Sequence, residues 1–284
     1  MPAIEIEGVT TIFGPRPRRA LAAWRAGAGK AELLAGGHVL ALADVSLSVG
    51  AGEFFAVMGL SGSGKSTLIR HVNRLVEPTE GRIRVDGVDV AGLDRRGLEA
   101  FRRGRVAMVF QHFGLLPHRT VLENAAYGLE IRGEARAARE AVTRDWLGRV
   151  GLSGYEDRLP RALSGGMRQR VGLARALAVG TPVLLMDEPF SALDPLTRVE
   201  LQDELAALAR AHSRTILFVT HDLDEAARLA DRIAILRDGA VVQVGTPADI
   251  LERPADDHVR AFVGAVSRAR GQPPSRPFAS PSAG

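Results

Sequence analysis

Gly59-Leu60-Ser61-Gly62-Ser63-Gly64-Lys65-Ser66 decides the fold class of this 284-residue chain. It fits the pattern G-x-x-x-x-G-K-[ST], and its flanks fit too: Glu53–Met58 reads as a strand and Lys65–Leu75 as a helix. Glycines let the backbone curl so that several N–H groups face one anion, at a helix N-terminus already carrying partial positive charge. Lys65 adds a mobile full charge for the β- and γ-phosphates, and the Ser66 hydroxyl is a Mg²⁺ ligand. A Gly/Ser-rich turn is the bland alternative. Among 37 basic residues, however, only Lys30 and Lys65 are lysine, all the others being arginine, so a lysine at the required position carries weight. Gly59, Ser61, Gly62, Ser63, Gly64, Lys65 and Ser66 are therefore read as a nucleotide phosphate loop.

Upstream of the loop, Ala3–Val9 and Leu40–Val49 alternate apolar and polar residues as strands do, and Ile83–Val85 and Val88–Val90 flank an Asp86-Gly87 hairpin signal. The intervening Gly14–Gly37 reads as a helical insertion. Residues from about Asp94 to Leu159 are mostly helical in pattern, with the strand Val106–Phe110 among them and a helix over Glu134–Val150. Beyond them come Arg168–Val179, Val183–Met186, Pro195–Arg210, Ile216–Val219, Leu223–Leu229 and Ile233–Leu236. That alternation implies parallel strands with crossover helices. From about Arg268 the chain is rich in Pro, Arg and Ser and reads as a disordered tail.

Composition narrows the class. Apolar residues make up 46% and charged residues 25%, the balance of a soluble globular protein. No apolar run reaches the length of a membrane helix. The acidic start Met-Pro-Ala-Ile-Glu-Ile-Glu is unlike a secretory signal, and the absence of cysteine excludes disulfides and thiolate metal sites. These features point to the cytoplasm. A net charge of +4 spread along the chain, without a basic cluster, gives no reason to expect a nucleic-acid partner.

Val183-Leu184-Leu185-Met186-Asp187-Glu188 is an apolar strand ending in two carboxylates, at the sheet edge where such folds bind ligands. Asp187 is placed to hold Mg²⁺; Glu188, pointing elsewhere, to act as base or orienter for an attacking water. Leu163-Ser164-Gly165-Gly166-Met167 opens a helix with a hydroxyl, free N–H groups and a dipole, a second anion site. Two phosphate-type sites but one lysine-bearing loop suggest a head-to-tail dimer, each Ser164 loop closing on the partner's nucleotide. Gln111 follows a strand and reaches toward Mg²⁺ and the water. Asp194, in Ser191-Ala192-Leu193-Asp194, falls near the dimer seam, and His221 follows a strand toward the γ-phosphate. Singly each has a bland reading as a strand-end amide, helix-start acid or strand-end histidine.

In this order the motifs resemble the ATP-binding subunit of ATP-binding-cassette transporters. Gly59–Ser66 resembles the Walker A motif, Gln111 the Q-loop, Leu163–Met167 the signature, Val183–Glu188 Walker B, Ser191–Asp194 the D-loop and His221 the switch histidine. Met167 stands where the commonest signature has glutamine. The resemblance implies an α/β P-loop NTPase fold, an ABC nucleotide-binding domain with a RecA-like core, an N-terminal antiparallel β subdomain and an inserted α-helical subdomain. It places the ATPase domain at 1–266, with the helical subdomain at about 94–160 and the insertion at 14–37, and the tail at 267–284. It implies ATP and Mg²⁺ as cofactors, with Ser66, Gln111 and Asp187 around the metal. Lys65, Gln111, Glu188 and His221 are its catalytic residues; Thr67, Ser164, Gly165, Gly166 and Asp194 join the nucleotide set. An aromatic in the first loop stacks on adenine in this family. Phe13 holds the matching position, Trp24 competes, and core packing is the alternative for both.

Local wording narrows the resemblance to importers of quaternary amines such as glycine betaine, proline betaine, choline and carnitine. Met58–Thr67, Leu75-Val76-Glu77-Pro78-Thr79, Ala107–Gln111 and Leu163–Ala176 are similar to that subfamily's stretches. The implied partners are a second copy of the chain, membrane permease subunits and an extracytoplasmic substrate-binding protein, at the cytoplasmic face of a bacterial inner membrane. Many such ATPases continue into paired regulatory CBS domains, for which a Pro/Arg/Ser tail is no counterpart. An importer for another solute, such as an amino acid, is the alternative. Ribosome-acting cassette proteins usually join two such domains in one chain, chromosome-maintenance ATPases separate their phosphate motifs by long coiled coils, and a non-catalytic module would lack Lys65, Glu188 or His221.

Overall fold

The computed structural model describes residues 2–268 except His112, with side chains through Gly264. β1 (Pro2–Phe13), β2 (Val39–Gly50), β4 (Glu80–Val85) and β5 (Val88–Asp89) form an antiparallel sheet in the order β2-β1-β4-β5. Asp86 and Gly87 join its last two strands with φ of 48° and 77°, the paired positive angles of a tight hairpin turn. β3 (Phe54–Met58), β6 (Val106–Val109), β7 (Val183–Asp187), β8 (Thr215–Val219), β9 (Arg232–Arg237) and β10 (Ala240–Gly245) form the second sheet, ordered β10-β9-β3-β8-β7-β6. Its strands run parallel, apart from β10, which returns antiparallel beside β9. The fold is thus the α/β P-loop type that the motifs imply, with an antiparallel return strand that crossover alternation alone does not foresee.

Strand periodicity divides the second sheet into two apolar faces. Phe55, Val57, Leu185, Leu217 and Val219 meet Leu68, Ile69 and Val72 of α3 (Lys65–Val72), and on that helix's far side lie Ile4, Ile6 and Leu47 of the first sheet. Phe54, Ala56, Met58, Leu184, Met186, Ile216 and Phe218 face the opposite core. The same parity sends Asp187, two residues past Leu185, to the side occupied by α3. The loops after β3, β6, β7 and β8 leave one edge of the sheet, and the strand order makes them neighbours.

Several elements depart from their sequence-based bounds. α3 stops at Val72 rather than Leu75, because Arg74 takes a φ of 52° and its guanidinium turns back to the Val90 and Leu93 carbonyls. Within 94–160, α4 (Arg95–Gly104) buries Phe101 in the core that holds α3. α5 (Val121–Ile131) and α6 (Arg136–Arg149) instead join α7 (Gly165–Ala178) through Leu122, Leu129, Trp146, Leu147 and Leu173. The Gly14–Gly37 insertion forms α1 (Pro17–Arg25) and α2 (Lys30–Ala35), whose Ala20, Leu21 and Leu33 pack on Ile12. α8 (Pro195–Ala211) and α9 (Leu223–Leu229) cover the face opposite α3; α10 (Pro247–Glu252) and α11 (Asp257–Arg268) follow. α11 continues into the segment expected as a tail, the remainder of which lies outside the described residues. No helix among the described residues is long and apolar enough to cross a membrane.

Phe218 is fully buried and meets Phe54 edge-on, with ring centroids 5.2 Å apart at 88°. Phe218→Ala leaves an unfilled cavity on that face and is expected to lower the unfolding free energy by about 3–5 kcal/mol in urea denaturation.

Candidate functional site

Loops of the second sheet, with the facing ends of β1 and β2, enclose a cleft of about 430 Å³ lined by Phe13, Ser61, Gly62, Gly64, Lys65, Ser66, Thr67, Gln111, Glu188 and His221 together with Val39, Leu40 and Ala41. The first ten were expected from the motifs or, for Phe13 and Thr67, from the family resemblance, and tertiary structure brings them to one surface. Asp187 forms the buried floor: Ser66 Oγ donates to its Oδ1 at 2.8 Å and Arg70 Nη2 to its Oδ2 at 3.2 Å. Lys65 Nζ donates to the Gly59 and Leu60 carbonyls, both at 2.8 Å, which curls the loop around its own ammonium. Burial pulls the Lys65 pKa down, while Glu188 and Asp187 push it back up.

Two loop glycines are demanded by neighbouring backbone. Gly59 has a φ of 148°, and a Cβ there would fall 2.2 Å from the Leu236 carbonyl oxygen at the end of β9. At Gly64, φ is 99° and a Cβ would fall 2.5 Å from the Ala41 carbonyl oxygen of β2. Gly64 is also the N-cap of α3, and no side chain caps it, which leaves the first-turn N–H groups without an intrahelical or capping partner. These donors, with Lys65, suit a polyphosphate. Ser63 is buried between these turns, and its hydroxyl has no hydrogen-bond partner among the described residues. The Ser66 hydroxyl and Asp187 carboxylate suit Mg²⁺, which takes few protein oxygens and completes its shell with phosphate and water.

Glu188 begins a different task from Asp187 because the chain turns sharply between them. Its φ of 50° lies in the left-handed region, a strained conformation for a residue with a side chain. The strain is held by hydrogen bonds on both sides: its N–H donates to Val219 O at 3.0 Å, and its carbonyl accepts from Gln169 Nε2 at 2.9 Å and Ser191 Oγ at 3.1 Å. The side chain accepts from Gln111 Nε2 at 3.2 Å, and His221 Nδ1 stands 3.5 Å from its Oε1. A carboxylate flanked by an amide and an imidazole at the mouth of a phosphate loop can orient and deprotonate a water.

The signature residues stand apart from the lining of this cleft. Ser164 caps α7, accepting from the Met167 N–H at 3.2 Å, and Gly165 faces open space. Gly166 lies against Ala192, whose carbonyl oxygen would be 3.0 Å from an added Cβ. Met167 packs against the helical core, so its side chain is turned from the Ser164-Gly165-Gly166 surface. Asp194 caps α8 through the Thr197 N–H at 3.0 Å, which holds its carboxyl below the usual range. Phe13 is 44% exposed at the cleft, whereas Trp24 packs with the α1–α2 cluster.

Sequence reading passed over two residues here. Arg70 sits one helical turn past Ser66, so their spacing along α3 already put both on one face. Gln169 is buried and grips both Glu188 O and the Ala192 N–H, at 2.9 Å each. No sequence pattern announces that bridge, because its ends lie on separate elements.

Comparison with known proteins agrees with this geometry. Residues 42–191 match the family model described as ABC transporter. The chain is 53% identical over 260 residues to the glycine betaine/proline betaine transport system ATP-binding protein ProV of Salmonella typhimurium, covering 91% of this chain but 65% of that one. It is 49% identical over 269 residues to the trimethylamine N-oxide transport system ATP-binding protein TmoW of Ruegeria pomeroyi, covering 95% of this chain and 79% of that one. The dimeric structure of MJ0796, a bacterial ABC transporter cassette, superposes with a TM-score of 0.75 at 33% identity, covering 86% of this chain and 98% of that one.

The glycines generate a graded expectation. A Cβ on Gly62 meets nothing within 4 Å, so Gly62→Ala carries only the penalty of its φ of 80°, about 1–2 kcal/mol. Gly64→Ala adds the clash with Ala41 and displaces the loop. Binding of a fluorescent ATP analogue is expected to weaken by about tenfold or more in Gly64→Ala, roughly 1.4 kcal/mol, and less in Gly62→Ala. The phosphate-loop cleft, its strand order and these matches together establish that the chain belongs to the ABC transporter family.

Proposed function

We propose that this chain binds and hydrolyses ATP and, as a pair of copies, powers import of a quaternary or related methylated amine through a membrane permease. One observation carries the reading. A single cleft joins the Ser66–Asp187 pair, the Lys65 ammonium and a Glu188 carboxylate flanked by Gln111 and His221. Lys65 and the α3 N-terminus bind the phosphates; Ser66, Asp187 and Gln111 are the groups for Mg²⁺, which would neutralise phosphate charge there. Glu188 takes the proton of the attacking water, and His221 orients that water and the γ-phosphate. Phe13 supplies the stacking face for adenine, its exposure at the cleft being the support.

The separation of the Ser164–Gly166 surface from the cleft supports a head-to-tail dimer, in which each copy's signature closes the other's nucleotide. The names of the relatives support a methylated amine such as glycine betaine, proline betaine or trimethylamine N-oxide; choline and carnitine belong to the same chemical class. The permease contact is assigned to an apolar groove of about 510 Å³ lined by Leu75, Val106, Met108, Phe110, Tyr127 and Ile131. It adjoins the loop after β6 that carries Gln111, so a permease segment seated there is mechanically linked to Glu188. Asn124, fully buried on α5, holds that loop by accepting from Leu116 N–H at 2.7 Å and donating to the Leu116, Arg119 and Thr120 carbonyls. The chain then works on the cytoplasmic face of the membrane, supplied with solute by an extracytoplasmic binding protein.

Two substitutions test the assignment. Glu188→Gln is expected to keep nucleotide affinity and to form an ATP-dependent dimer in size-exclusion chromatography, with turnover down by about 10²–10⁴. Turnover retained at the wild-type rate would remove Glu188 from its role. Phe13→Ala is expected to weaken ATP by about 1–3 kcal/mol in isothermal titration, the usual worth of an aromatic–base stack; unchanged affinity would assign adenine to another group.

A further inference from the structure

His221 is held by its turn rather than by its ring, which is 65% exposed. That turn is tightly built. The Thr220 N–H donates to Val57 O at 3.2 Å and its hydroxyl to Glu225 Oε2 at 2.6 Å, while the Asp222 N–H donates back to Thr220 Oγ1 at 3.0 Å. Asp222 in turn caps α9 by accepting the Asp224 and Glu225 N–H groups, at 2.9 and 3.3 Å. Moving Glu225 or Asp222 therefore moves the backbone that carries His221.

Both acids face one guanidinium. Arg198 approaches Asp222 Oδ2 through Nη1 at 3.5 Å and Glu225 Oε1 through Nε at 3.8 Å. Its Nη2 donates to the Leu193 carbonyl at 3.2 Å. Leu193 belongs to the Ser191–Asp194 loop, the same loop that backs Gly166 and is pinned to α7 by Gln169. One side chain thus spans the signature-backing loop and the turn that aims His221. The span is not fully tightened: Arg198 Nε is buried yet has no hydrogen-bond partner among the described residues. A closure of roughly 0.6 Å or more between α8 and α9 would turn the 3.8 Å approach into a hydrogen bond.

We propose that Arg198 is a positioning residue that couples the Ser191–Asp194 loop to His221, so that docking of a second copy on that loop sets the histidine for turnover. This rests on the reading of the site as half of a two-copy ATP sandwich. The guanidinium suits the task because its planar fork presents donors in three directions at once. A lysine at the same place offers one ammonium and cannot bridge Leu193 O, Asp222 and Glu225 together.

Arg198→Lys and Arg198→Met separate the possibilities, assayed for ATP-analogue affinity, steady-state turnover, and ATP-dependent dimerisation in the Glu188→Gln background. The expected result for both is analogue affinity within about twofold of wild type, a dimer that still forms, and kcat lowered by about three- to thirtyfold with KM little changed. Wild-type kcat in both variants overturns the proposal. So does a fall in kcat accompanied by matching losses of analogue affinity and dimerisation, which is the pattern of a purely structural role. Arg198→Lys retains the positive charge and keeps the test open if Arg198→Met does not fold. Failure of Glu188→Gln alone to dimerise with ATP would instead strike at the two-copy reading beneath it.

Discussion

The hydrogen bond from Ser66 to Asp187 joins the two halves of the site, and the rest of the structure is arranged to permit it. Ser66 opens the helix behind the phosphate loop, and Asp187 ends a strand that lies two positions away in the sheet. They meet because β7 alternates strictly, with Val183 and Leu185 packing toward α3 and Asp187 continuing that face. A register slip of one residue would carry the carboxylate into the opposite core among Met186 and Phe218. Arg70 takes the second carboxylate oxygen, so a fully buried acid has both oxygens engaged.

The remaining groups proposed for catalysis depend on how abruptly the chain leaves that strand. Glu188 adopts a positive φ that a run of regular strand would not allow, and the Val219, Gln169 and Ser191 contacts absorb the strain. Gln169 links that corner to the helix opened by Ser164, and Ala192 carries the link on to the Ser191–Asp194 loop. The geometry of one turn is therefore shared by the carboxylate proposed to act in hydrolysis and by the surface a second copy is proposed to meet. Electrostatics add a tension of their own. The ammonium of Lys65 is desolvated, which disfavours its charge, while the two carboxylates beside it favour that charge.

Much was legible in the residues before any fold was known. The phosphate loop announces itself because its function demands glycine and lysine at fixed spacing, in a chain nearly devoid of lysine. Leu223–Leu229 matches its helix, and the Asp86-Gly87 hairpin its turn, because both follow from local dihedral preferences and short-range hydrogen bonds. β10 was not legible: its partly buried valines carry little periodic contrast, and its antiparallel pairing is decided by β9. The helical interval after Asp94 likewise gives no sign that α4 joins the sheet core while α5 and α6 join α7.

The sequence by itself determined which groups are present for chemistry, because phosphate and metal binding restrict residue type and spacing along a short stretch. Tertiary structure alone decided which of them share a cleft. It put Phe13 there and Trp24 in the α1–α2 cluster, and it set Glu188 between Gln111 and His221. It also set Arg198 against the Leu193 carbonyl and the carboxylates of Asp222 and Glu225. The physical reason is distance along the chain: Glu188 meets Gln111 and His221, and Arg198 meets Asp222 and Glu225, only because burial of the two faces of one sheet brings separate elements together.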